Sequence, residues 1–127
     1  MLGPTMSAAR LPTIRELVAN LSRRDGVEAV VLLGGDGVLI DGWSNPGFDL
    51  EQLAAHVPRL VSASGELAAT SARGGLVSGV LEHERGYAVI TTLGPEATLL
   101  VLVHPNANLG ALIGDLRRHR SNIASII

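Results

Sequence analysis

The sequence predicts an α+β domain in which three helices pack above and below an antiparallel sheet. Three observations predict it. Apolar residues recur at helical spacing in three segments, and five shorter runs carry the alternating or wholly apolar pattern of strands. Short turn sequences join those strands as a pair and a triplet, which makes neighbouring strands antiparallel.

The first helix is written in "TIRELVANLSRRDG". Thr13 and Glu16 form a capping box, each side chain satisfying an orphan N–H of the first turn. Ile14, Leu17, Val18 and Leu21 fall on one face, and Gly26 is expected to close the helix.

The strand pair is "VEAVVLL" and "VLIDGW" on either side of Asp36-Gly37. The glycine-rich "LGGDGVLIDGW" invites comparison with phosphate-binding loops. A P-loop requires a lysine after its last glycine, and the chain has no lysine. The dinucleotide pattern begins at Gly35 and Gly37 but meets Ile40 where its third glycine belongs. Asp-Gly between two apolar runs is a hairpin turn.

After the turn cluster "SNPG", a second helix is predicted from about Asp49 to Ala72, capped by Asp49 with Gln52 returning the bond. Leu50, Leu53, Val57, Leu60, Ser64 and Leu67 form its apolar stripe, and Pro58 inside the pattern should kink it. Much of the remaining surface is small, with Ala54, Ala55, Ser62, Ala63, Gly65, Ala68, Ala69 and Ala72, a pattern that permits a second helix to approach closely and equally reflects good helix formers.

Three strands follow: "GLVSGVLEHE" turning at Arg85-Gly86 into "GYAVITTL", then "GPE" turning into "ATLLVLVH". The last is apolar on both faces and should lie centrally. The first alternates polar Ser78 and Glu82 with Val77, Gly79 and Leu81, as expected of an edge. A third helix, "NANLGALIGDLRRHRSNIASII", has Asn106 or Asn108 as its cap and Leu109, Leu112, Leu116, Ile123 and Ile127 as its stripe.

Composition excludes several functions. The chain has 127 residues, enough for a single domain with its own core. It lacks cysteine, so disulfides and thiolate zinc sites are ruled out. A net charge of −2 and 2% aromatic residues argue against nucleic-acid binding, which needs a basic field and stacking platforms. Apolar runs fall short of a membrane span, and residues 1–10 read as a flexible lead-in without a signal-peptide core, so a cytoplasmic domain over residues 11–127 is expected.

Catalytic chemistry finds no home. There is no nucleophile elbow, and His56, His83, His104 and His119 are scattered. "EHER", Glu82 to Arg85, is the nearest thing to a metal or acid–base cluster, but it coincides with a predicted hairpin tip, where charge is favoured by solvation alone. Asp36 reads as a turn former and Asp41 as an outward strand residue. The run "RRHR" at 117 to 120, the sharpest basic patch, points in several directions round a helix with Arg120 near the apolar stripe; a solvated face is expected, with a binding role as the alternative. The expectation is therefore a protein that is not an enzyme, without catalytic, cofactor-binding or metal-binding residues.

The pattern "VVLLGGDGVLIDGW", a small-residue helix and "GLVSGVLEHERGYAVITTLGPEATLLVLV" resembles the Roadblock / dynein light chain family from about Leu11 onward. The resemblance implies a three-layer α/β/α sandwich around a five-stranded antiparallel sheet in the order 2-1-5-4-3, similar to profilin-like folds. It also implies a dimer, homomeric or heteromeric, that pairs the third strands through Leu76, Val77, Ser78, Gly79, Val80, Leu81 and Glu82, with the second helices side by side. The partner implied for bacterial and archaeal relatives is a small Ras-like GTPase on the platform of paired second helices. The outward positions of that helix are Glu51, Ala55, Arg59, Ser62, Ala63 and Glu66, a docking surface of small residues and a few charges. The expected function is a homodimeric regulator or scaffold for such a GTPase, possessing no arginine finger of its own. The alternative is a sensory or small-ligand-binding module, since sheets flanked by helices enclose small molecules.

Overall fold

Thr13 accepts the Glu16 N–H at 3.1 Å while Glu16 reaches back to the Thr13 N–H and hydroxyl, so the capping box forms and starts α1 (Ile14–Ser22). The computed structural model describes residues 13–127; the lead-in expected over residues 1–10 lies outside them. The order continues with β1 (Val27–Gly34), β2 (Leu39–Ser44), α2 (Leu50–Ser71), β3 (Ser78–His83), β4 (Gly86–Thr92), β5 (Ala97–Val103) and α3 (Leu109–Ala124). The five strands form one antiparallel sheet in the order β2-β1-β5-β4-β3.

Register divides the sheet into two faces. Val30, Val101, Val89 and Val80 stand in one row across β1, β5, β4 and β3, and Val31, Leu100, Ile90 and Gly79 form the next row on the opposite face. The first face packs with Leu17, Val18 and Leu21 of α1 and Leu112, Leu116 and Ile123 of α3. The second packs with Ala54 and Val57 of α2. β5, apolar on both faces, is central as its composition demands. Each fully buried aliphatic side chain in these layers contributes about 1.5–3 kcal/mol of transfer free energy.

The two-helix layer is tied by one carboxylate. Asp115 of α3 accepts from Arg24, just past α1, and from Arg118 on its own helix. The Arg24 hydrogen bond, together with the positive charge of both arginines, holds the Asp115 carboxyl below the usual carboxylate range.

The hairpin at Asp36-Gly37 forms, with Gly34 N–H bonded to Val38 O at 2.9 Å and Asp36 Oδ1 accepting the Val38 N–H at 3.0 Å. Gly37 sits at φ +84, and a Cβ there would lie 3.0 Å from Pro58 Cγ and 3.6 Å from the Ala54 carbonyl oxygen. The hairpin tip therefore packs where the α2 backbone has no N–H to offer Ala54. α2 runs through Pro58 as one continuous helix, Asp49 accepting the Gln52 N–H at 3.2 Å. At its other end Ala72 adopts the left-handed conformation, φ 57, and the Arg73 N–H reaches the Ala68 carbonyl at 2.9 Å in a Schellman-type close.

Several local expectations are corrected. α1 ends at Ser22, capped by Arg23, and Gly26 serves instead as the positive-φ entry to β1. The β3–β4 turn consists of Glu84 and Arg85, since His83 pairs with Gly86. Gly86 is required by close approach: a Cβ would sit 2.5 Å from the Val103 carbonyl oxygen. Asn108 caps α3, accepting from Ala111 N–H at 3.1 Å, and Ile127 lies past its end while Ile126 packs on the core. Asp41 faces α1 and pairs with Arg15 at 3.6 Å rather than simply meeting solvent. Among the described residues no helix is long and apolar enough to cross a membrane.

Candidate functional site

Two helices cover one face of the sheet, but α2 alone covers the other. It lies over β1 and β2, burying Val31 and Leu33 with Ala54 and Val57. The same helix also packs with Ala88, Ile90 and Leu100, buried at 8%, 4% and 4%, and what stays open on that face is the outer part, with Leu102 partly buried and Leu81 exposed. Here Leu81, Ala88 and Leu102 stand in one row and Gly79, Ile90 and Leu100 in the next. Against the wall of α2, which presents Leu53, Val57 and Leu60, these rows make an open groove of about 600 Å³. Its ends carry Phe48, His56, His83 and Arg85.

The groove explains an exposure that periodicity did not foresee. Leu60 and Leu67 belong to the stripe expected to be buried, yet they are 43% and 71% exposed. The stripe is continuous along α2, whereas the cluster beneath it, from Val31 and Leu33 to Ala88, Ile90 and Leu100, fully buries only Ala54 and Val57 of the helix and partly covers Leu50, Leu53 and Val61. Past Val57 the helix keeps Val61 on that cluster, while Leu60 lines the groove and Leu67 faces a separate hollow beside Leu76 and Val77. Phe48 and Leu81, each 39% exposed, complete the apolar rim. Contiguous apolar exposure of this kind marks an interaction surface.

β3 is the edge of the sheet beside this groove. The Thr92 N–H bonds to Val77 O at 3.0 Å, which makes Val77 and Thr92 a hydrogen-bonded pair and sets the alternation along the strand. Gly79, Leu81 and His83 then bond inward to β4. Ser78, Val80 and Glu82 turn their backbone N–H and C=O groups outward, unpaired. Of the residues assigned to a dimer seam, Leu76 and Val77 precede the strand, with the Leu76 carbonyl accepting from the Thr92 hydroxyl at 2.5 Å. Ser78, Gly79, Val80, Leu81 and Glu82 lie within it, Val80 and Leu81 exposed on opposite faces.

Glu51, Ala55, Arg59, Ser62, Ala63 and Glu66 lie on α2, and their spacing draws one stripe along its outer side. They stand apart from the groove, whose own residues lay hidden in the sequence as ordinary core positions. "EHER" occupies the end of β3 and its turn, and its charged members are exposed.

The fold recurs in known proteins. A family model described as the Roadblock/LC7 domain matches residues 13–103. An uncharacterized protein of Methanocaldococcus jannaschii is 26% identical over 113 residues, which cover 89% of this chain and 95% of that protein. Among solved structures, Myxococcus xanthus MglB superposes with a TM-score of 0.79 at 19% identity, covering 91% of this chain and 97% of that one. The gliding protein MglB of Thermus thermophilus gives a TM-score of 0.79 at 22% identity, with 88% and 86% covered.

Proposed function

Because the chain belongs to the Roadblock/LC7 family, we propose that it is a homodimeric, non-catalytic regulator of a small Ras-like GTPase. The observation that carries this reading is the open apolar groove beside an unpaired edge strand. Pairing β3 with β3 of a second copy satisfies the outward groups of Ser78, Val80 and Glu82. A two-fold axis there makes one continuous sheet and brings a second α2 towards the first, above the groove. Leu60, Leu81 and Phe48 then lose their contact with water, which supplies the hydrophobic drive for association.

In such a dimer the outer stripes of both α2 helices form a platform, and Glu51, Ala55, Arg59, Ser62, Ala63 and Glu66 contact the GTPase. No arginine finger is assigned. Stimulation of GTP hydrolysis then arises by favouring the active arrangement of the GTPase's own switch loops, which requires different affinities for its nucleotide states. The similarity in fold to MglB supports this reading.

Light scattering of the purified protein together with a pull-down of the cognate GTPase, loaded with GDP or a GTP analogue, tests both halves. A dimer that recovers one nucleotide state preferentially is expected. Equal recovery leaves a constitutive scaffold, and a monomer at tens of micromolar, an order-of-magnitude working concentration for ordinary interfaces, rejects the seam. The ligand-binding alternative rests on the same groove, since about 600 Å³ falls among the volumes of small-molecule sites. Saturable thermal stabilisation by a metabolite, without GTPase recovery, would favour it.

A further inference from the structure

Two charged side chains near the edge strand lack a counterpart. Glu82 of β3 and Arg117 of α3 are both exposed, and neither has a hydrogen bond or ion pair among the described residues. Val80 shares its row with Val89 and Val101 on the face that carries α3, and Ser78 and Glu82, each two residues away along the strand, point to that face as well. Arg117 lines one small cleft together with Ser78 and Val80. Within one copy, therefore, the arginine lies at the Ser78 end of β3 and the carboxylate at the other.

The outward backbone groups of Ser78, Val80 and Glu82 restrict how a second β3 can add. In an antiparallel pair, outward residues face outward residues, so a two-fold axis passes beside Gly79, Val80 or Leu81. Centring on Val80 sets Ser78 opposite Glu82 at both ends and Val80 opposite itself, and every outward residue of the strand is paired. Centring on Gly79 or Leu81 sets Val80 against Ser78 or Glu82 and leaves the remaining outward residue facing a position beyond β3. Side chains favour the same choice. On the α2 face the Val80 register brings Gly79, where a Cβ would meet nothing within 4 Å, opposite Leu81, which is 39% exposed. The segment "SGVLE" is thus self-complementary about Val80, as a two-fold interface requires.

We infer that β3 joins β3 of a second copy in the register centred on Val80, and that Glu82 of each copy then meets Arg117 of the other. This rests on the seam proposed above and fixes its alignment. Facing residues of a hydrogen-bonded pair have Cα atoms about 5.5 Å apart, so the second copy's Glu82 arrives beside Ser78, at the cleft where Arg117 lies. Symmetry forms the ion pair twice. An edge strand without an acidic residue at that place gains no such pairing, so Glu82 and Arg117 select a copy of this chain over other strands.

The chain has no cysteine, so introduced thiols report the register directly. Gly79→Cys and Leu81→Cys are purified separately, mixed and oxidised; facing positions fall within the Cα separation of about 4.4–6.8 Å that a disulfide spans. The mixture should cross-link efficiently as a heterodimer, and each variant alone poorly. Glu82→Arg and Arg117→Glu, with native circular dichroism, should each weaken the dimer on the order of tenfold, because two ion pairs become two repulsions. Mixing those two variants should restore wild-type affinity, since each carries the other's complement, and added salt should shrink the differences. Efficient linking of either cysteine variant with itself, unchanged affinity after both reversals, or a mixture no tighter than its components overturns the inference while leaving the seam in place. A wild type that is monomeric on the order of tens of micromolar removes the seam and the inference together.

Discussion

The Arg120 guanidinium grips Thr92 twice, its Nε donating to the carbonyl oxygen at 2.6 Å and an Nη to Oγ1 at 3.0 Å. The Thr92 hydroxyl in turn donates to the Leu76 carbonyl at 2.5 Å, and the Thr92 N–H to Val77 O. One residue of α3 thereby fixes the end of β4 and the segment that leads into the edge strand. Arg120→Ala should lower stability by about 2 kcal/mol, the scale of losing hydrogen bonds from a charged donor to a half-buried acceptor. Arg120→Lys should recover little, because an ammonium cannot present the two-pronged geometry. Urea unfolding checks this; a midpoint equal to wild type for both variants would show the grip to be incidental.

The edge strand offers a second test. Val80 lies in a non-hydrogen-bonded pair with Val89, so its N–H points away from β4. Val80→Pro removes a donor that the monomer does not use and that a paired strand needs. The expected outcome is a folded monomer, seen as native circular dichroism with halved mass by light scattering. A variant that stays fully dimeric would place the seam on another surface.

Ala72 is the one described residue other than glycine with positive φ, at 57°. A β-carbon costs about 1–2 kcal/mol in that conformation, partly offset by the greater freedom of glycine in the unfolded chain. Ala72→Gly should therefore raise stability by about 0.5–1 kcal/mol, read as a higher thermal midpoint.

Asp115 has a definite signature in pH. Its pKa is lowered in the folded protein, first by the hydrogen bond from Arg24, so its ionised form is the stabilising one. That contribution is complete above the unfolded value of about 3.9 and disappears as pH falls through the lower folded value. Wild type should melt higher than Asp115→Asn at neutral pH, and the gap should close only below about pH 4. A gap that is constant down to acid would mean the variant acts through packing rather than charge.

The elements themselves were legible because each rests on neighbours in sequence. The Thr13–Glu16 capping box, Asp49 as a cap and Asp36-Gly37 as a hairpin tip depend on residues within a few positions of one another and appear where the sequence places them, while of the two asparagines offered for the last helix the structure takes Asn108. Alternation also identified β3 as an edge and β5 as central, since a strand apolar on both faces must be covered on both. The strand order came from family resemblance, which carries information that local patterns lack.

What tertiary structure decided was which apolar faces are covered. Leu53, Val57, Leu60 and Leu67 follow one helical stripe, yet Val57 is buried at 2% exposure and Leu67 is 71% exposed. Periodicity states which side of a helix is apolar but not how far the opposing surface extends. Arg120 and Thr92, twenty-eight positions apart, meet for the same reason. The sheet sets the reach of every helix laid on it, and only the packed arrangement decides that Ala88 is covered while Leu81 at the edge of the same row is left 39% exposed.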